Sequence, residues 1–183
     1  MRTLIPIELF TPRLQLRWME ASDAAAHYAV FSDPEVARYW SSGPWTALDQ
    51  AHEHIAATQA AYADGSGMRL GIELRETGEL IGNASLHRFV GASRRCELGY
   101  ALARAHWGLG YVSEALRALL DYGFTALDLN RVEADIDPRN AASARVLEKL
   151  GFRKEGFMPE RWIVQGEPAD TVFYGLLRRH WNG

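Results

Sequence analysis

The chain has 183 residues, enough for one domain with a full hydrophobic core and too few for two. Apolar residues make up 48% and charged residues 23%, the balance of an ordinary globular chain and not of a disordered one. The formal net charge is −3, from 20 basic and 23 acidic side chains with no long run of one sign, which argues against broad nucleic-acid binding, since that needs a basic footprint to displace counterions.

The first ten residues carry one Arg and one Glu and lack the apolar stretch of a secretory leader. No apolar run approaches the ~20 residues that span a bilayer, so the expected setting is the cytoplasm, with no membrane partner. Residues 13–18 alternate polar and apolar side chains and read as a strand. Residues 21–31 are Ala-rich and helical. A second helix is expected from the Thr46-Ala47-Leu48-Asp49 entry, with Thr46 as N-cap, through Ala63, stopping near Gly65-Ser66-Gly67. Trp40 and Trp45 flank a turn, Ser41-Ser42-Gly43-Pro44, that could belong to an acceptor site.

The period then changes. Residues 68–75 and 79–89 read as strands joined by a hairpin at Glu76-Thr77-Gly78. Residues 95–102 form a third extended run, which carries the only cysteine, Cys96. With no partner for a disulfide and no obvious activating neighbour, Cys96 reads as a buried strand residue. A long amphipathic helix follows, with Val112, Leu116, Leu119, Leu120 and Leu127 at helical spacing. Residues 131–136 are β-like, Asp137-Pro138-Arg139-Asn140 breaks the run, and a helix from about 140 to 150 ends at Gly151. Two closing strands, 152–164 and 171–178, flank the turn Gln165-Gly166-Glu167-Pro168. This order departs from the strict βα alternation of a doubly wound sheet. It predicts an α+β domain over 1–183: a mixed, mostly antiparallel sheet of about seven strands with about four helices on its faces.

The segment richest in chemistry is Trp107-Gly108-Leu109-Gly110-Tyr111-Val112, where a strand ends and a helix begins inside glycines. The first amides of a helix lack internal partners and sit at its positive end, so a phosphate accepts from several at once. Gly-x-Gly before a helix can also be only a tight turn. A P-loop would need Lys and then Ser or Thr after the second glycine, and a dinucleotide fingerprint would need Gly or Ala where Ser113 stands. What remains is an amide cradle suited to a pyrophosphate. Further on, Asn140 follows Pro138 and precedes an apolar helical pattern, which suits an N-cap, and Ser143 lies in the first turn of that helix.

The run "HWGLGYVSEAL" resembles the coenzyme A pyrophosphate loop of the GNAT acyltransferases. "DPRNAASARVLEKLGF" resembles that family's second signature, and "CELGYAL" and "FYGLLRRHW" resemble its RimJ/RimL-like branch. The resemblance spans nearly the whole chain and implies a splayed GNAT sheet and acetyl-CoA as acetyl donor, with no metal. It implies direct transfer to a primary amine, with a protein or peptide N-terminus as first-choice acceptor. A polyamine, an aminoglycoside, a free amino acid, or a non-catalytic acyl-CoA-binding role stays open, and a homodimer is the assembly common in that branch. By the same resemblance, the loop residues Trp107, Gly108, Leu109, Gly110, Tyr111 and Val112 would hold the pyrophosphate. Tyr100, Ala101 and Leu102 would offer backbone to the pantetheine, and Asn140 and Ser143 would face the cofactor.

Attack of an amine on a thioester needs a base for the amine, donors for the oxyanion, and a donor for the leaving sulfur. It needs no enzyme nucleophile. Ser143 is the candidate donor to sulfur. Many GNAT members carry a tyrosine four residues later, where this chain has Leu147. Glu97, on the strand leading to the cofactor, is the first candidate base, with Glu160 and a water chain as alternatives. A backbone amide near Tyr100 to Leu102 would hold the oxyanion. His52 and His54, two residues apart, do not share a helical face as a metal-binding pair would.

Overall fold

The computed structural model describes residues 4–183; Met1 to Thr3, the start of the stretch read for a leader, lie outside the described residues. Along the chain run β1 (Leu9–Phe10), β2 (Leu14–Arg17), α1 (Ala24–Ser32), α2 (Pro34–Ala37), α3 (Asp49–Asp64), β3 (Gly67–Leu74), β4 (Leu80–Val90) and β5 (Arg95–Leu102). After them come α4 (Tyr111–Thr125), β6 (Arg131–Ile136), α5 (Ala141–Lys149), β7 (Arg153–Val164) and β8 (Glu167–Leu177). The strands form one eight-stranded sheet in the order β1-β2-β3-β4-β5-β6-β8-β7. Every neighbouring pair is antiparallel except β5 and β6, which run parallel and are joined by the crossover helix α4.

The mixed, mostly antiparallel sheet is the one expected, with β1 and α2 in addition. Two and four residues long, they are too short for periodicity to register. The second still has a sequence cause: Pro34 is pre-set for a first helical turn, and the Asp33 carboxylate accepts from the Glu35 amide at 2.8 Å. Thr46 does not cap α3. The helix begins at Asp49, and the Gln50 side-chain oxygen reaches back to accept from the amides of Thr46 (2.7 Å) and Ala47 (3.1 Å). Leu127 falls beyond the end of α4. The last turn is tighter than expected: Gln165 (φ +52°) and Gly166 (φ +88°) make a two-residue hairpin turn of the kind that matches strand twist, so β8 starts at Glu167.

The sheet divides the core. On one face Cys96, Leu98 and Leu102 of β5 pack with Leu116, Leu119 and Leu120 of α4 and with Leu147 of α5, all within 6% exposure. Each such aliphatic side chain contributes about 1.5–3 kcal/mol by leaving water. On the other face Ala101 packs with Val30, Phe31 and Val36, beside a cluster of Met19, Ala24, Ala51, Ile55 and Leu80. No helix among the described residues is long and apolar enough to cross a membrane.

Candidate active site

Strands β5 and β6 pair only at Arg95↔Arg131, Cys96↔Val132 and Glu97↔Glu133. Beyond Glu97 they diverge and the sheet opens in a wedge. Because the two strands are parallel, the turns that follow them lie at the same edge of the sheet. The N-termini of α4 and α5 therefore flank the wide end of the wedge.

The loop entering α4 leaves its amides free. After a 3₁₀ turn at Arg104–His106, Gly108 and Gly110 both take positive φ, +76° and +82°, a region where a side chain costs roughly 1–2 kcal/mol. The amides of residues 108–113 donate to no carbonyl or side chain among the described residues. A Cβ at Gly108 would meet nothing within 4 Å, so glycine there serves the positive φ and not a lack of room. Arg13 braces the loop from β2's side. Its guanidinium pairs with Glu114 (2.7 Å), donates to the Leu109 carbonyl (3.0 Å) and lies 4.4 Å from the Tyr111 ring centroid. Val112 turns inward and packs on the core.

Strand alternation sorts the β5 candidates. The Ala103 amide donates to Ile81 of β4 at 2.8 Å. Every second residue before it, Ala101 included, therefore also turns its backbone to β4, while Tyr100 and Leu102 turn theirs to the wedge. Ala101 is thus corrected: its backbone belongs to the β4 ladder and its side chain to the opposite core. Trp107 is placed differently from expectation too. Its indole N–H donates to the Leu102 carbonyl at 2.7 Å, tying the loop to the strand end. The backbone groups left facing the wedge are those of Tyr100 and the Leu102 amide.

Across the opening, Asn140 caps α5, its side-chain oxygen accepting from the Ser143 amide at 3.0 Å. That is its structural role, and the oxygen is committed to it. Ser143 is 9% exposed, and its hydroxyl lies 2.6 Å from the Tyr100 hydroxyl, a contact sequence reading missed. Burial pushes the Tyr100 phenol up to about 12. Leu147 is fully buried.

Glu97 sits at the last paired position of β5, on the sheet face opposite Tyr100 and Ser143. It accepts from Arg88 at 2.9 Å, and His87 lies 3.7 Å away. Arg88 reaches it from a left-handed conformation (φ +51°) at a bulge in β4. Burial, then the charges of Arg69 and Arg88, holds His87 down to about 4, so it is neutral near pH 7. Ser85 lies 3.4 Å from the other His87 ring nitrogen. Further along this face, His54 contacts His27 (2.8 Å) and Arg69 (2.7 Å) under Phe31, Trp40 and Trp45. The Trp40–Trp45 turn approaches the β7–β8 turn, since a Cβ on Gly43 would stand 3.2 Å from the Gln165 amide nitrogen. Glu160, the alternative base, is exposed on β7, on the far side of β8 and β6 from β5. Cys96 is buried, and burial pushes its thiol well above the ordinary range.

The arrangement offers free amides for a diphosphate, a wedge with strand-like backbone for an extended amide-bearing arm, and a hydroxyl pair bridging it. These fit acetyl-CoA, whose thioester supplies an activated acyl group. The family model described as "Acetyltransferase (GNAT) domain" matches residues 13–153. The N-acetyltransferase p20 of Bacillus licheniformis is 39% identical over 175 residues, covering 96% of this chain and 98% of its own. The [ribosomal protein uS5]-alanine N-acetyltransferase of Escherichia coli is 29% identical over 194 residues, covering 99% and 96%. Among solved structures, Mycobacterium smegmatis RimJ in complex with CoA-disulfide superimposes with a TM-score of 0.83 at 27% identity, covering 94% and 86%.

Proposed function

The chain belongs to the GNAT family and is an acetyl-CoA-dependent N-acetyltransferase of the RimJ/RimL-like branch, and on that premise we propose that it acetylates a protein or peptide N-terminal amine in the cytoplasm, as a homodimer. The amides of residues 108–113 hold the pyrophosphate. Tyr100 and Leu102 offer backbone to the pantetheine, and one of their amides takes the oxyanion. Ser143 donates a hydrogen bond to the departing sulfur, and Glu97 accepts the amine's proton, directly or through His87 or water. The acceptor enters on the Glu97 face, between the Trp40–Trp45 turn and the β7–β8 turn.

The single observation carrying the donor half is the run of free amides beside the opened β5–β6 wedge. The acceptor half draws support from full-length similarity to a relative named as an alanine N-acetyltransferase of ribosomal protein uS5. It is tested by an acetyl-transfer screen over peptides with free N-terminal Ala or Ser, spermidine and an aminoglycoside. The expected result is mass-spectrometric acetylation at the peptide α-amine. Faster turnover of spermidine or the aminoglycoside would replace this reading. Sedimentation velocity reads the dimer.

A further inference from the structure

We propose that Tyr100 is a positioning residue whose phenol, supplied from strand β5, holds the Ser143 hydroxyl with its proton free to face the donor's sulfur. The proposal rests on the reading of Ser143 as donor to that sulfur.

Three observations carry it. Tyr100 lies on the part of β5 beyond the last β6 pair, and Ser143 lies in the first turn of the helix that follows β6. Their 2.6 Å contact therefore bridges the wedge. Second, the Tyr100 hydroxyl is also 3.4 Å from the Ser143 carbonyl oxygen, which only accepts. The phenol has one proton, kept on it by burial, and the hydroxyl at 2.6 Å is a far closer acceptor for it than the carbonyl at 3.4 Å, so the proton goes to the hydroxyl with the carbonyl alongside. Third, the amide of Ser143 is already taken by Asn140, so the hydroxyl is the group in this turn left to be oriented. A serine hydroxyl alone rotates among staggered positions. One lone pair occupied by the phenol fixes the oxygen and leaves its own hydrogen to point elsewhere. The helix has no hydroxyl one turn on, because Leu147 is packed in the core, so the strand provides what the helix lacks.

The step needs no proton to pass between the two residues. As the carbon–sulfur bond breaks, its electron pair leaves on sulfur, and Ser143 meets the new charge as a hydrogen-bond donor. The amine's proton departs to the base and then to solvent. A thiol ordinarily titrates near 8.5, well below a phenol held at about 12, so the pair stabilises a thiolate and does not have to protonate it.

This makes the state of bound CoA a direct readout, independent of acceptor and turnover. The thiol of CoA bound to the protein is titrated by thiolate absorbance, with desulfo-CoA complexes as blank. Cys96 is buried with its thiol pushed up and does not interfere. Relative to wild type, Ser143→Ala should raise the titration midpoint of the bound thiol by about one pH unit. Tyr100→Phe should raise it by at least half as much, and the double variant should match Ser143→Ala alone. Affinities for desulfo-CoA should stay within about twofold, which also shows each variant folded. If Tyr100→Phe titrates like wild type while Ser143→Ala is displaced, Tyr100 merely packs and the proposal fails. If Ser143→Ala also titrates like wild type, the reading of Ser143 itself fails and takes the proposal with it.

Discussion

The two sides of the wedge are built on different principles. The donor side is made of backbone: free amides at residues 108–113, the wedge-facing groups of Tyr100 and Leu102, and one hydroxyl at the start of α5. The acceptor side is made of side chains from separate segments. His27 comes from α1, His54 from α3, Arg69 from β3, His87 and Arg88 from β4, and Glu97 from β5. A backbone site tolerates variation in most side chains around it but not in the glycines that set its φ angles. A side-chain site can change its ligand by changing any of several residues while the fold stays the same.

If that division is right, substitutions on the two sides should separate turnover from cofactor affinity. The largest effect on turnover is expected for Glu97→Gln. With the base removed, kcat should fall by about 100-fold or more, while CoA affinity measured by calorimetry is unchanged. A kcat within a few-fold of wild type would move the base elsewhere. Ser143→Ala should lower kcat by roughly tenfold, the worth of one hydrogen bond to a charged group, with acetyl-CoA affinity within about twofold. Unaltered kcat would remove its part in the reaction. Arg13→Ala touches only the brace behind the loop, whose guanidinium is half-exposed. It should weaken CoA binding by about threefold to fivefold and leave kcat alone; a collapse of kcat would mean the division between the sides is false.

Most of the donor side was legible in the sequence, and for a physical reason. A Gly-x-Gly helix entry, an Asn-capped helix and the strand between them are local features, each written within a dozen consecutive residues. Register was the part that could not be read locally. Which of Tyr100, Ala101 and Leu102 faces the wedge depends on the Ala103–Ile81 bond to a neighbouring strand, and Ala101 turned out to belong to β4's side. The Tyr100–Ser143 contact joins residues 43 apart, so nothing in either segment announces it. The phase of β5 gave a hint: Tyr100 alternates with Leu98 and Leu102, which marks its ring for the α4–α5 face. On the acceptor side only Glu97, Trp40 and Trp45 stood out. His87, Arg88 and the His27–His54–Arg69 group became visible only once pairing and a bulge had brought them together. Thr46 does not cap α3 because the helix starts three residues later, at Asp49, and Gln50 instead reaches back to accept from the amides of Thr46 and Ala47.

That buried group gives the acceptor side a further property the donor side lacks. Burial, then the charge of Arg69, holds His27 at about 4 and His54 at about 3. Both are neutral in the folded chain at pH 5–6, where the unfolded chain binds protons on them. Their stabilising contribution is complete above the ordinary value of 6.5 and is lost as pH falls from there toward 4 and 3. Each excess proton costs about 1.4 kcal/mol per pH unit, and His87, held at about 4, adds to the pair, so urea unfolding should give about 3 kcal/mol less stability at pH 5.5 than at pH 7. A stability that is flat over this window would show that the pair is hydrated or already protonated.

The most direct measurement on the central claim is calorimetric titration of CoA into wild type and Gly110→Val. Valine at φ +82° strains the turn and sets its side chain against the Arg13 guanidinium that braces the loop, so affinity should fall roughly 10- to 100-fold. CoA at 100 times its Kd should still stabilise the wild type by about 2.7 kcal/mol. Equal affinity in the two proteins, with both folded, would contradict the assignment of the 108–113 amides to the pyrophosphate.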